Sequence, residues 1–144
     1  MSRHLHATAV ILGEKGVLIL GQSGAGKSSL ADALIERARE RGRHACLIGD
    51  DRIALSEHHG RLVISGHPAL RGRIERRGIG IVDVNATDKA ILHAVIMLEA
   101  DPPRLPEKNQ SKYTISGVEV PLLTLRSDQD LASKAHLALD WLEG

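Results

Sequence analysis

The alternation of apolar and polar residues along the chain predicts a strand-rich sheet with few helices. Apolar runs at 5–12 and 16–20 predict two strands, which a glycine-bounded turn over 13–16 joins. Apolar residues then recur at helical spacing, so residues 27–41 are predicted to form an amphipathic helix. The members of that stripe are Leu30, Ala31, Leu34, Ile35 and Ala38. A short apolar run at 45–48 predicts the next strand, and this order of elements indicates a crossover to a neighbouring strand.

The second half of the chain is more strand-rich than the first. Apolar runs predict further strands at 61–65, 79–84, 90–98 and 118–125. Residues 100–116 contain three of the five prolines and many polar residues, which indicates a loop. Ser127 and Asp128 are the expected N-caps of a final helix over 128–143, whose apolar stripe indicates a packing face. The pattern as a whole predicts an α/β fold with flanking helices, in a single domain over 1–144.

The amino-acid composition of the chain limits the classes of function that it can have. Trp141 and Tyr113 are the only aromatic residues, which argues against nucleic-acid binding by base stacking. The chain carries 19 basic and 18 acidic residues, so it has no overall positive charge for binding DNA or a membrane surface. No apolar stretch reaches the length of a membrane span, and the lone Cys46 cannot form an internal disulfide. We therefore expect a soluble cytoplasmic protein in which Cys46 is buried and inert.

Residues 21–28 satisfy the phosphate-loop pattern G-x-x-x-x-G-K-[ST] between a predicted strand and a predicted helix. The glycines let successive backbone N–H groups point at phosphate oxygens, and the start of the helix adds partial positive charge. Lys27 is expected to reach the β- and γ-phosphates, and the Ser28 hydroxyl is expected to bind Mg²⁺. The predicted nucleotide-binding residues are Gly21, Gln22, Ser23, Gly24, Ala25, Gly26, Lys27 and Ser28. The sequence thus predicts a P-loop-containing fold that binds a nucleoside triphosphate.

Two carboxylates, Asp50 and Asp51, end the next predicted strand, where a parallel sheet would place them beside the phosphate loop. One carboxylate there can bind Mg²⁺, and a second can accept a proton from an attacking hydroxyl. Alternatively, both could serve only local hydrogen bonds in a turn, for which aspartate is well suited. The reaction stays open at this point, because NTPases, small-molecule kinases and some protein kinases share these features.

Four features together resemble the HPr kinase/phosphorylase family: His6 before the first strand, the phosphate loop, the Asp50-Asp51 pair and the run at 75–82. That run, E-R-R-G-I-G-I-V, is similar to the family signature E-I-R-G-[LI]-G-I-I. The resemblance covers most of residues 4–126. It is strongest for the short alphaproteobacterial form, which keeps only the catalytic C-terminal domain, so the family's N-terminal domain is expected to be absent.

The resemblance implies which residues hold the nucleotide and its metal ion. Lys27 and Ser28 match the loop lysine and the hydroxyl that binds Mg²⁺ in the family. Glu75 matches the second Mg²⁺ ligand. The implied cofactors are ATP and Mg²⁺.

The resemblance also implies the catalytic residues. Asp51 best matches the aspartate that takes the serine proton in the forward reaction, and the sequence leaves open that Asp50 and Asp51 exchange roles. His6 matches the family histidine just upstream of the first strand. Arg104 matches the active-site arginine of the family's arginine-leucine pair.

Members of the family phosphorylate a serine of HPr, a phosphocarrier of the phosphotransferase system, and many also remove that phosphate by phosphorolysis. The resemblance therefore implies a protein-serine kinase with an HPr-type partner, assembled as a homo-oligomer (a hexamer in the family). The family's P-G-R-N loop, tied to dephosphorylation, has no match at 123–128, so kinase activity is the safer expectation. Two alternatives stay open: a small-molecule P-loop kinase, and a nucleotide-sensing binding module without turnover.

Overall fold

A computed structural model of the chain describes residues 2–101 and 111–144, in which it contains eleven strands and two α-helices. The strands of the first half are β1 (Ser2–Leu5), β2 (Thr8–Leu12), β3 (Lys15–Gly21), β4 (Ala45–Gly49), β5 (Ile53–His58) and β6 (Arg61–Gly66). Those of the second half are β7 (Arg73–Arg76), β8 (Gly80–Asp83), β9 (Lys89–Glu99), β10 (Lys112–Ile115) and β11 (Val118–Arg126). The helices are α1 (Lys27–Glu40) and α2 (Leu131–Glu143), and Pro68–Leu70 forms a short 3-10 turn. The predicted α/β class with a strand-rich sheet is confirmed.

Nine of the strands form one mixed sheet, and β7 and β8 form a separate hairpin. The order along the large sheet is β1-β5-β6-β9-β3-β2-β4, with β11 pairing to the second half of β9 and β10 to β11. β3, β9 and β11 run parallel, so their carboxyl ends lie at one edge of the sheet. Because α1 follows β3 and α2 follows β11, both helices begin at that edge, where α/β proteins bind ligands.

The crossover from β3 through α1 does not lead to a neighbouring strand, and that prediction is wrong. β2 lies between β3 and β4 and pairs antiparallel with both. β2 and β3 are separated by only two residues, so they form a local hairpin that occupies this edge of β3. β4 nevertheless runs parallel to β3, and its carboxyl end reaches the edge at which the phosphate loop lies.

The final helix begins later than predicted. Its N-cap is Asp130, whose carboxylate accepts a hydrogen bond from the Ser133 N–H at 3.0 Å, whereas Ser127 and Asp128 precede the helix. The Asp128 carboxylate instead accepts hydrogen bonds from the guanidinium of Arg126, the last residue of β11. Hydrogen bonds from Ser133 lower the pKa of Asp130, as expected for a carboxylate that caps a helix.

Several strands were not evident from the sequence. The predicted strand at 5–12 is broken between β1 and β2, and β5, β7 and β10 were not predicted. β10 lies within the predicted loop at 100–116, most of which (102–110) is outside the described residues. Cys46 is buried as expected, and burial raises the pKa of its thiol. Neither α1 nor α2 is long and apolar enough to cross a membrane, and no other helix of the described residues is.

The core consists of two aliphatic clusters on opposite faces of the large sheet. Consecutive residues of β3 point to opposite faces, so Val17 and Ile19 join one cluster and Leu18 joins the other. α1 and α2 cover the first face, and both contribute their apolar stripes to its cluster. The helices pack side by side, which brings the beginning of α2 close to the phosphate loop.

We predict that Leu34→Ala lowers the free energy of unfolding by about 2–5 kcal/mol, because it leaves a cavity between α1 and the sheet. Leu34 has no exposed surface and packs in the helix-side cluster. Leu137→Ala is the matched control, since that side chain is 45% exposed on α2. Urea unfolding of both variants measures the difference, and equal losses for the two would contradict the assignment of the core.

Candidate active site

The phosphate loop connects β3 to α1 and has the backbone conformation that its glycines permit. Gly24 and Gly26 have φ angles of 83° and 99°, which a residue with a side chain rarely adopts. Gly26 is the N-cap of α1, so the first N–H groups of the helix face the loop. The Lys27 ammonium donates to the backbone carbonyls of Gly21 and Gln22, at 2.9 and 3.1 Å. The lysine thus spans the loop from the helix back to the end of β3.

The Asp50 carboxylate joins three separate segments at the carboxyl end of β4. It accepts hydrogen bonds from the Ser28 hydroxyl at 2.8 and 2.9 Å and from the Thr8 hydroxyl at 2.7 Å. It also accepts one from the Glu75 N–H at 3.2 Å. Thr8 is completely buried, although it lies in an otherwise apolar strand. Asp50 therefore fixes β2, the start of α1 and the β7–β8 hairpin relative to each other.

Asp51 lies in a different environment from its neighbour. Its φ angle of 73° is uncommon for a residue other than glycine, and such backbone conformations are concentrated at functional sites. Its carboxylate oxygen lies 3.0 Å from His6 Nδ1, and both side chains are largely exposed. The two adjacent carboxylates, whose roles the sequence left open, therefore have separate partners: Asp50 contacts the phosphate loop and Asp51 faces the solvent-accessible site.

Glu75 lies on the β7–β8 hairpin, which packs against α1. Ile74 is buried in the helix-side cluster and pairs with Val82 across the hairpin. Arg76 donates two hydrogen bonds to Asp32 of α1, at 2.9 and 3.0 Å, and these bonds raise the pKa of the guanidinium. Because Asp32 lies one helical turn after Ser28, this bidentate pair fixes the hairpin close to the phosphate loop.

One cavity of about 590 Å³ brings most of the candidate residues together. It is lined by the candidate residues His6, Ser23, Gly24, Gly26, Lys27, Ser28, Asp50, Asp51 and Glu75. The predicted residue Arg104 lies outside the described residues. Sequence reasoning missed Thr8, Arg73 and Arg77, which also line the cavity. A threonine in a buried apolar strand was a signal for Thr8, whereas nothing local distinguishes the two arginines.

The side chains of this cavity fit ATP and Mg²⁺. Positive φ angles at Gly24 and Gly26 are those of a loop whose N–H groups converge on an anion. The hydroxyl of Ser28 and the carboxylates of Asp50 and Glu75 offer oxygen ligands, which Mg²⁺ prefers. Among the described residues, no cluster of three or more His, Cys, Asp or Glu side chains could hold a metal ion. Such a sparse donor set suits Mg²⁺ held largely by nucleotide phosphates and water.

Comparison with known proteins identifies the family. The family model described as "HPr Serine kinase C-terminal domain" matches residues 1–129 of this chain. The chain belongs to this family. HPr kinase/phosphorylase of Mycoplasma mycoides subsp. mycoides SC is 34% identical over an alignment of 128 residues, with coverage of 80% of this chain and 39% of that protein. HPr kinase/phosphorylase of Chloroherpeton thalassium is 36% identical over an alignment of 136 residues, with coverage of 85% of this chain and 38% of that protein. The chain thus spans about two fifths of the length of these curated relatives.

A solved structure supports the same family assignment. The Hpr(Ser) kinase/phosphatase from Coxiella burnetii is 28% identical to this chain, with a TM-score of 0.75, and the match covers 99% of each chain. Within the HPr kinase family signature, this chain has Arg76 where the pattern E-I-R-G has isoleucine. The pair with Asp32 therefore involves a residue at which this chain differs from the family signature.

We predict that Arg76→Ala loosens the hairpin that carries Glu75. Amide hydrogen exchange in β7 and β8 should become several-fold faster, because the bidentate contact with Asp32 is lost. The double variant Asp32→Arg/Arg76→Asp should restore slow exchange. Arg126→Ala, which removes a comparable pair with Asp128, is the control and should leave the hairpin unchanged. Unaltered exchange in Arg76→Ala would show that burial of Ile74 and the hydrogen bond from the Glu75 N–H to Asp50 fix the hairpin without this pair.

Proposed function

We propose that this chain is an ATP- and Mg²⁺-dependent protein-serine kinase that phosphorylates an HPr-type phosphocarrier of the phosphotransferase system. The observation that carries the proposal is the Asp51–His6 pair in the same cavity as the phosphate loop. A phosphate loop alone binds nucleotides in many proteins. A solvent-facing carboxylate in the same cavity adds the base that a hydroxyl nucleophile requires.

Asp51 has the role of general base in this proposal. It accepts the proton of the substrate serine while the serine oxygen attacks the γ-phosphorus; the bond from that phosphorus to the bridging oxygen breaks, and ADP leaves. His6, 3.0 Å from the Asp51 carboxylate, orients that group. Asp50 is less suited to the role, because its oxygens already accept hydrogen bonds from Thr8, Ser28 and the Glu75 backbone.

The remaining polar groups would hold the nucleotide. Lys27 would exchange its contacts with the loop carbonyls for phosphate oxygens, and Ser28 and Glu75 would bind Mg²⁺. Mg²⁺, when bound, neutralises charge on the β- and γ-phosphates. By family resemblance, Arg104 would contact the transferred phosphoryl group, whose negative charge favours an arginine.

The rim of the cavity favours a protein as the second substrate. Ile79 and Ile81 are each 73% exposed on the β7–β8 hairpin, and Ile81 lines the cavity. Large apolar side chains exposed together are typical of surfaces that bind another protein. A small-molecule kinase has no need of such a rim. We therefore assign these isoleucines to docking of the phosphocarrier around its serine.

Two further parts of the proposal follow from family resemblance. The chain is proposed to act as a homo-oligomer, a hexamer in the family, and the phosphorylation is proposed as its main activity. Residues 123–128 lack the P-G-R-N pattern tied to phosphorolysis. Incubating the phosphorylated carrier with excess inorganic phosphate and measuring pyrophosphate determines whether the reverse reaction also occurs.

We predict that purified protein transfers phosphate from ATP to a serine of an HPr-type carrier in the presence of Mg²⁺. Lys27→Ala should abolish the transfer. Asp51→Asn should lower kcat by about 100- to 10,000-fold, the usual contribution of a general base, while the Kd for ATP changes less than about twofold. Asp83→Asn, which changes an exposed carboxylate of the hairpin, is the control. Phosphoserine formation and fluorescence-detected nucleotide binding measure the two quantities.

The possible outcomes separate the competing functions. Tight ATP binding with no phosphoserine, by the wild type, would favour the nucleotide-sensing module. Stabilisation of the protein by a metabolite together with ATP would favour a small-molecule kinase. A loss of kcat in Asp50→Asn but not in Asp51→Asn, with both variants folded, would reverse the roles assigned to the two carboxylates.

We predict that Ile79→Ser/Ile81→Ser raises KM for the phosphocarrier by about tenfold, because apolar contacts at the rim are lost. Nucleotide affinity should not change. Ile91→Ser, at a partly exposed isoleucine of β9, is the matched control. A change of oligomeric state in sedimentation, with KM unaltered, would instead assign the isoleucines to an interface between copies of this chain.

A further inference from the structure

Lys134 is a buried cation that the proposed reaction does not use. It lies in the second turn of α2 and is only 5% exposed. Its ammonium donates to the Ser127 carbonyl at 3.0 Å, in the connection between β11 and α2. Burial of a charged lysine is costly, and lysines are rarely buried without an ion-pair partner. Among the described residues, no carboxylate forms a salt bridge with Lys134.

The ammonium of Lys134 lies against the phosphate loop. A β-carbon built onto Gly26 would be 3.6 Å from Lys134 Nζ. Gly26 is the N-cap of α1 and precedes Lys27, so Lys134 approaches the loop where α1 begins. Lys134 is not among the side chains that line the cavity. Any effect of its charge on a ligand would therefore be exerted across the loop rather than by direct contact.

The surroundings of Lys134 are electrostatically unfavourable for a cation. The beginnings of both α1 and α2 lie beside it, and helix N-termini favour anions. Burial is the main cause that lowers the pKa of Lys134, and the charge of Arg77 lowers it further. The charges of Asp128 and Asp130 offset this lowering only in part. Asp128 is itself held by Arg126, and Asp130 caps α2. A polyphosphate in the loop would stabilise the assembled positive charge.

We propose that Lys134 is a positioning residue of the phosphate site, whose charge behind Gly26 strengthens nucleotide binding in proportion to the negative charge of the phosphates. The inference rests on the nucleotide binding proposed above. Lys134 lies beyond residues 1–129, which match the family model, so this contribution comes from the part of the chain outside that match. The position of Lys134 depends on the parallel pairing of β11 with β9 and of β9 with β3. This pairing places the beginning of α2 at the edge of the sheet where β3 ends.

The test compares ligands that differ mainly in phosphate charge. Lys134→Met keeps the length of the side chain and removes its charge. We expect its Kd for ATP to rise about tenfold, the Kd for ADP to rise less, and the Kd for AMP to stay nearly unchanged, because the Coulomb attraction scales with ligand charge. Displacement of a fluorescent ATP analogue measures the three constants. Lys134→Arg should restore most of the affinity for ATP.

Lys15→Met is the matched control. Lys15 Nζ also donates to a backbone carbonyl of α2, that of Leu142, at 2.7 Å. It does so at the other end of the helix, about 12 Å from Lys134 along the helix axis. The variant thus loses a comparable charge and hydrogen bond at the same helix but away from the loop. It should bind ATP, ADP and AMP as the wild type does.

Three outcomes would overturn the inference. Unchanged affinities for ATP, ADP and AMP in Lys134→Met would show that the charge does not reach the ligand. A uniform loss for all three nucleotides would show a purely structural role. Failure of the wild type to bind any nucleotide would refute the proposed function as well. If Lys134→Met does not fold, Lys134→Gln, which retains a donor for the Ser127 carbonyl, provides the same comparison.

Discussion

The arrangement of the site depends on the hydrogen bonds that the Asp50 carboxylate accepts. Its oxygens accept hydrogen bonds from Thr8 in β2, from Ser28 at the start of α1 and from the backbone of Glu75 in the β7–β8 hairpin. These segments are separated by up to 67 positions in the sequence, and Asp50 brings them within reach of one ligand. A partly buried polar network of this kind is most stabilising when its donors and acceptors are satisfied. No buried side-chain nitrogen or oxygen of the described residues lacks a hydrogen-bond partner.

Both oxygens of Asp50 accept hydrogen bonds from neighbouring segments, whereas Asp51 contacts only His6 in the part of the chain that the structure describes. The positive φ angle of Asp51 turns its side chain towards His6 and the open cavity. Two adjacent residues at the end of one strand thereby differ in environment. One contacts the loop that would bind phosphate, and the other faces the open cavity, where the proposed second substrate would reach it. Phosphoryl transfer requires mainly such positioning, since the protein contributes little covalent chemistry.

The topology around the phosphate loop differs from a simple parallel crossover, and the difference has a consequence for the site. The insertion of β2 between β3 and β4 places Thr8 in the interior beside Asp50, so the first hydrogen-bond donor of the network comes from an antiparallel strand. Lys134 of α2 lies against Gly26 of the loop and donates to the Ser127 carbonyl in the connection from β11 to α2. The cavity is therefore lined by residues from His6 to Ile81 rather than by the loop and its helix alone, and α2 contacts the loop from outside the cavity.

The sequence by itself determined the phosphate loop, α1, the α/β class and the family, because these depend on local spacing: a glycine pattern, a helical stripe and an eight-residue signature. It also predicted the buried Cys46. It could not determine which of Asp50 and Asp51 contacts the loop, since the backbone angle at Asp51 and the three donors to Asp50 arise only after distant segments pair. The place of β2 between β3 and β4, the pairing of β5 and β7, and the Arg76–Asp32 pair have the same origin. By its sequence, Lys134 belongs to an ordinary packing helix. Only the tertiary structure decided that it lies against Gly26, because the parallel register of β3, β9 and β11 fixes where both helices begin.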